Sequence, residues 1–98
     1  MTVFWTNRAA DQLLDIRDAV GRTSEVYAER IVDRLLARSE QLEAFPRSGR
    51  RVPEFDREDL REVVDAPYRL IYRIREEQID VLSVVHQRRR LPPTAEAL

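Results

Sequence analysis

Ninety-eight residues with 43% hydrophobic content bound one domain with a single two-layer core. No cysteine is present, which excludes disulfides and thiolate metal sites and fits a reducing, cytoplasmic setting for so small a domain. The formal net charge is −1 although 36% of residues are charged, and all seventeen basic residues are arginine; binding driven by overall positive charge is thereby excluded, and any basic patch must be local.

Thr2 to Thr6 is β-branched and aromatic, which predicts a short strand. It lacks the basic region and long apolar run of a signal peptide, and no later stretch reaches the roughly 20 apolar residues that cross a bilayer. Thr6 or Asn7 then caps a helix in which Ala9, Leu13, Ile16 and Val20 recur at helical spacing, and Gly21 ends it. Thr23 or Ser24 caps a second helix carrying Tyr27, Ile31, Leu35, Leu42 and Phe45, which Pro46 stops. The very short link predicts an antiparallel helical hairpin.

Pro46 to Asp59 reads as a loop with its charges in blocks: Arg47, Arg50 and Arg51, then Glu54, Asp56, Glu58 and Asp59. Three strands follow, at about Leu60–Asp65, Tyr68–Arg75 and Ile79–His86, with Ala66-Pro67 and Glu76-Glu77-Gln78 as turns. The last strand is largely apolar on both faces, which predicts an interior position. Pro92-Pro93 closes the domain at 1–93, leaving 94–98 as a tail that is frayed or forms a short helical turn. The predicted fold is therefore α+β, in the order β-α-α-β-β-β, with the helical hairpin packed on one face of a small antiparallel sheet.

Alternation along Tyr68–Arg75 sends Tyr68, Leu70, Tyr72 and Ile74 to one face and Arg69, Ile71, Arg73 and Arg75 to the other. Three guanidiniums on an open face require an anionic answer. Glu62, Asp65 or Asp80 on neighbouring strands would supply it internally; a nucleic acid or an acidic partner would supply it from outside. His86, the only histidine, is either a proton-transfer or anion-binding group or a packed structural ring. Arg88, Arg89 and Arg90 form the densest basic run, either solvated or a partner contact. In the loop, Glu54 is expected to pair Arg50 or Arg51. A lone histidine without cysteine argues against a metal site, no Gly-rich phosphate loop is present, and no cofactor is expected.

Several motifs in this order resemble the ParE/RelE superfamily of bacterial type II toxins, and most closely its ParE-like, plasmid-stabilisation branch. They are Trp5-Thr6, Phe45-Pro46, Gly49-Arg50-Arg51-Val52-Pro53-Glu54, Leu60-Arg61-Glu62-Val63, Tyr68-Arg69-Leu70-Ile71-Tyr72-Arg73-Ile74 and Val84-Val85-His86. The resemblance implies a growth-arresting cytoplasmic toxin without a membrane segment. It implies a hetero-oligomer with an acidic, ParD-like antitoxin whose N-terminus binds DNA. The ParE branch implies inhibition of DNA gyrase by direct binding. The RelE branch implies ribosome-dependent mRNA cleavage, with Arg61 and Arg69 holding phosphates and His86 moving a proton. That branch typically places a tyrosine shortly after the last strand, about where this chain has Pro92 or Pro93. A third reading is a weakly toxic or inactive partner that acts in antitoxin binding and operon autoregulation. The expected binding residues are Arg61, Arg69, Arg73, His86, Arg88, Arg89 and Arg90, with the Arg50, Arg51 and Glu54 loop beside them.

Overall fold

A computed structural model describes Met1–Leu98. The elements are β1 (Thr2–Trp5), α1 (Asn7–Gly21), α2 (Glu25–Gln41), β2 (Arg50–Arg51), β3 (Leu60–Asp65), β4 (Tyr68–Ile74) and β5 (Gln78–His86), followed by a 3-10 turn at Ala95–Ala97. Thr6 caps α1 by accepting from the Ala9 N–H at 3.1 Å, and Ser24 caps α2 by accepting from the Tyr27 N–H at 3.1 Å. Gly21 ends α1 without a left-handed conformation, contrary to expectation; α2 passes close to it, and Ala28 Cβ lies 3.9 Å from where a Cβ would stand. The second helix stops at Gln41 rather than at Pro46, so Phe45 is exposed instead of extending the apolar stripe.

The five strands lie in the order β1-β5-β4-β3-β2. The α+β class and the helical hairpin hold. The sheet, however, is mixed, because β1 runs parallel to β5, and the loop expected over Pro46–Asp59 contributes the edge strand β2, antiparallel to β3. Alternation on β4 follows the prediction: Tyr68, Leu70, Tyr72 and Ile74 all face the helices, in a core shared with Ala9, Leu13, Ile31, Leu35, Ile79, Val81 and Val84. On β5 the register slips, since Ile71 pairs with Ser83 but Tyr72 pairs with Val81. Leu82 is the extra residue of this bulge, and it reverses the parity beyond it. Val84 therefore faces the helices and Val85 the other side.

That other side is not open, which corrects the expected exposed arginine face. Ile71, Leu60 and Val85 pack there with Val52 and Leu91 into a second apolar cluster, flanked by Phe55, Ala95 and Leu98. The loop after β2 and the chain from Leu91 onward cover it. The C-terminal turn is thus docked, with Arg8 Nη1 donating to the Ala97 carbonyl at 2.7 Å.

Candidate partner-binding surface

The covered second face determines what the sheet arginines do. Arg69 is 5% exposed and donates to Glu54 at 2.6 and 3.1 Å, to Glu62 Oε1 at 3.0 Å and to the Arg89 carbonyl at 3.2 Å. Its Nε is buried without a partner. Glu62, 1% exposed, also accepts from Arg50 Nε at 2.7 Å. Hydrogen bonds from Arg69 hold the Glu54 carboxyl below its ordinary range, and the same bonds push the Arg69 guanidinium up. Arg69 is therefore consumed internally. Of the carboxylates expected to answer it, Glu62 does so; Glu54 joins from the loop, paired to this distant strand residue and not, as expected, to Arg50 or Arg51, which are held by Glu62 and Glu58.

Arg73 reaches Asp59 at 3.3 Å rather than the expected Glu62, Asp65 or Asp80. Asp65 is taken by Arg34, and Asp80 by Arg75 at 3.3 Å. Asp59 also binds Arg57, whose hydrogen bonds hold its carboxyl down. Arg61 and Arg51 stand directly opposite each other across β3 and β2, and Glu58 lies between them and Arg47, accepting from all three. Bonds from Arg51 foremost, then Arg61, hold Glu58 below the usual carboxylate range.

The run after β5 differs. His86, Arg88, Arg89 and Arg90 are exposed, and none of the three arginines has an ion pair. The turn is held by backbone and ring: the Arg88 N–H donates to His86 Nδ1 at 3.1 Å, the Arg89 N–H to the His86 carbonyl at 2.9 Å, and Gln87 N–H to the Pro67 carbonyl at 2.8 Å. Tyr68 packs edge-on against the His86 ring with centroids 6.2 Å apart. Burial pushes the Tyr68 phenol up. A groove of about 230 Å³ runs beside this turn, lined by Gln12, Asp15, Ile16, Tyr68, His86 and Arg89.

Cross-strand pairing fixes which residues share a face. His86 pairs with Tyr68 and so lies on the helix side, whereas Arg69 points to the second cluster. Arg61 pairs with Tyr72, again on the helix side, but four residues along β4 from Tyr68, roughly 13 Å at the strand rise. The trio Arg61, Arg69 and His86 is therefore not brought together. Residues that the sequence did not single out include Glu58, the hub of three arginines, and Gln12, whose Oε1 accepts from the Val84 N–H at 2.9 Å and the Ser83 hydroxyl at 3.1 Å. Three arginines near one acid in a charge block signalled the first; nothing in the local pattern signalled the second.

Comparison with known proteins agrees with this architecture. A solved structure described as the chromosomal ParDE toxin–antitoxin system from P. aeruginosa superimposes with a TM-score of 0.73, covering 88% of this chain and 95% of that one at 21% identity. A curated relative, Toxin RelE2 of Caulobacter vibrioides, is 33% identical over 88 residues, 89% of this chain and 96% of its own length. The family model for the ParE toxin of the type II toxin–antitoxin system parDE matches residues 3–91. The chain belongs to the ParE toxin family of type II toxin–antitoxin systems.

Proposed function

We propose that this protein inhibits DNA gyrase by direct binding, without catalysis of its own, and is neutralised by an acidic antitoxin. The observation that carries the reading is where unpaired arginines stand side by side. From Arg47 to Arg75 every arginine has a carboxylate partner, while Arg88, Arg89 and Arg90 have none and stand together on the surface. Such a run favours docking onto an anionic surface over polarising a phosphate within a shaped site. Arg69 and His86 on opposite sides of the sheet also disfavour a shared reaction centre. The antitoxin has an apolar surface to cover on the hairpin, where Leu14, Val26, Tyr27 and Leu36 are exposed, and a free sheet edge at β1.

Purified protein added to gyrase is expected to block supercoiling and accumulate cleaved complexes. Replacing Arg88, Arg89 and Arg90 together by alanine is expected to weaken that effect at least about tenfold, the loss of one charged contact or more. No effect of the wild-type protein at molar excess rejects the reading. The likeness to a protein named RelE2 favours a second one, mRNA cleavage on the ribosome. Primer extension on translating ribosomes distinguishes the two: codon-positioned cuts abolished by His86→Ala support cleavage, and their absence excludes it.

A further inference from the structure

We propose that Arg47, Arg51 and Arg61 form a binding site for a dianionic phosphate group, and that Glu58 occupies this site in the free protein. Arg51 and Arg61 are directly opposed on adjacent strands, an arrangement of like charges that destabilises a sheet unless an anion intervenes. Arg47 adds a third guanidinium from the preceding loop. All three converge on the carboxylate of Glu58, with Arg51 Nε at 3.0 Å from Oε2. One further acid is near, Asp56 at 3.7 Å from Arg51, and it is almost fully exposed. Three positive charges against Glu58 and Asp56 leave an excess of one.

The cradle is also prepared in advance. Arg61 is only 13% exposed, and its Nη1 and Nε are spent on the carbonyls of Gly49 at 3.0 Å and Glu58 at 3.1 Å. Its remaining Nη2 is thereby aimed at the shared anion. Arg47 and Arg51 are half-exposed or more, so both can swing to a larger ligand, and Glu58, 51% exposed, has solvent to move into. A carboxylate presents two oxygens and one charge to three forks. A phosphate monoester presents three oxygens and close to two charges at neutral pH. Against the three arginines and Asp56 it makes the cluster neutral. An internal phosphodiester carries one charge and gains nothing over the glutamate it displaces. The ligand class is therefore inorganic phosphate or a terminal phosphate monoester.

This site is separate from Arg88–Arg90, and its test requires neither gyrase nor antitoxin. The sign of one substitution decides it. If Glu58 only ties the loop down, Glu58→Gln removes a contact and gains no ligand. If Glu58 fills an anion site, Glu58→Gln binds inorganic phosphate about tenfold more tightly than wild type, because a competing negative charge within a few ångströms is gone. Titration calorimetry at constant ionic strength reads this directly, and Glu58→Ser serves as a second variant with the same expected gain. Adding Arg51→Ala to Glu58→Gln is expected to return affinity to the wild-type level or below. The proposal is overturned if neither Glu58 variant, folded by circular dichroism, gains affinity, or if the gain survives loss of Arg51. Oligonucleotides of one sequence, with and without a 5′-phosphate, separate the ligand sources. Preference for the phosphorylated strand assigns a terminal monoester, preference for inorganic phosphate alone assigns the free ion, and equal binding of both strands overturns the dianion requirement.

Discussion

At the scale of single residues, the buried pair of Arg69 and Glu62 carries the heaviest consequence. Both are almost wholly shielded, and the guanidinium joins β4 to β3, to the loop at Glu54 and to the carbonyl of Arg89. Arg69→Met is therefore expected to destabilise the protein by about 3 kcal/mol in urea unfolding, because it removes one of the two guanidiniums that answer the desolvated Glu62 carboxylate. Combining it with Glu62→Gln should cost less than the sum of the two single changes, the mark of coupled partners. Acid should act on Glu54 of this network and on the separate ion pairs at Glu58 and Asp59. Glu54, Glu58 and Asp59 have carboxyls depressed by Arg69, Arg51 and Arg57 respectively, from ordinary values of 4.5, 4.5 and 3.8. In the unfolded chain they take up protons first, so their contribution is fully present above about pH 4.5 and is lost as pH falls through the lower folded values. Urea midpoints are expected to be flat from pH 7 to 5 and to drop below that, with a shallower drop in Arg69→Met. Tyr72 is a neutral counterpart: its hydroxyl donates to the Pro46 carbonyl at 2.7 Å and accepts from the Gly49 N–H at 3.1 Å. Gly49 leaves no space beside it, since a Cβ there would stand 2.5 Å from the Glu62 carbonyl oxygen. Gly49→Ala is accordingly expected to lower the thermal midpoint, and Tyr72→Phe to cost about 1–3 kcal/mol by leaving both backbone groups unpaired.

At the scale of elements, the bulge at Leu82 decides which residues of β5 meet the helices, and Gln12 of α1 holds it in place. The pairing of β1 with β5 ends at Val81, so beyond it that edge of β5 has no strand partner: Gln12 Oε1 takes the Val84 N–H, and the Thr6 hydroxyl approaches the Leu82 carbonyl at 3.4 Å. Gln12→Leu has no compensating acceptor, so a loss of about 1–3 kcal/mol is expected, together with faster hydrogen exchange of the Val84 amide. The helices and the face alternation of β4 follow from periodicities of 3.6 and 2, and the capping oxygens narrow to Thr6 or Asn7 and to Thr23 or Ser24; all of these signals are local. Parity on β5 was not legible, because both of its faces are apolar and a slip of one residue leaves no trace in such a pattern. The parallel pairing of β1 with β5 joins residues more than seventy positions apart, which no window of sequence reports. The site divides in the same way. Arg88–Arg90 was legible as a run and Glu62 as a cross-strand answer to Arg69, whereas the capture of Arg69 by Glu54 depends on a loop folding back over the sheet.

At the scale of the whole molecule, charge and cover are arranged together. Ten arginines pair with the chain's own acids, and much of that pairing lies around the second face of the sheet, where the C-terminal segment also packs. The last seven residues matter more than their length suggests. Ala95 and Leu98 pack on Val52, Leu60, Ile71 and Val85, the Ala97 carbonyl accepts from Arg8 of α1, and Glu96 approaches Arg57 at 3.8 Å. This small segment therefore links α1, the loop before β3 and the sheet. Removing residues 92–98 is expected to uncover that apolar face and to cost about 1–3 kcal/mol, from two partly buried side chains and one hydrogen bond. For a domain of this length such a loss lowers the thermal midpoint by roughly 5 to 20 °C. Fluorescence of a dye that binds exposed apolar surface should rise with the truncation, and Leu98→Ser alone should reproduce a smaller part of both effects. An unchanged midpoint with no added dye binding would mean that the sheet's second face is held by the loop around Val52 and Phe55 alone.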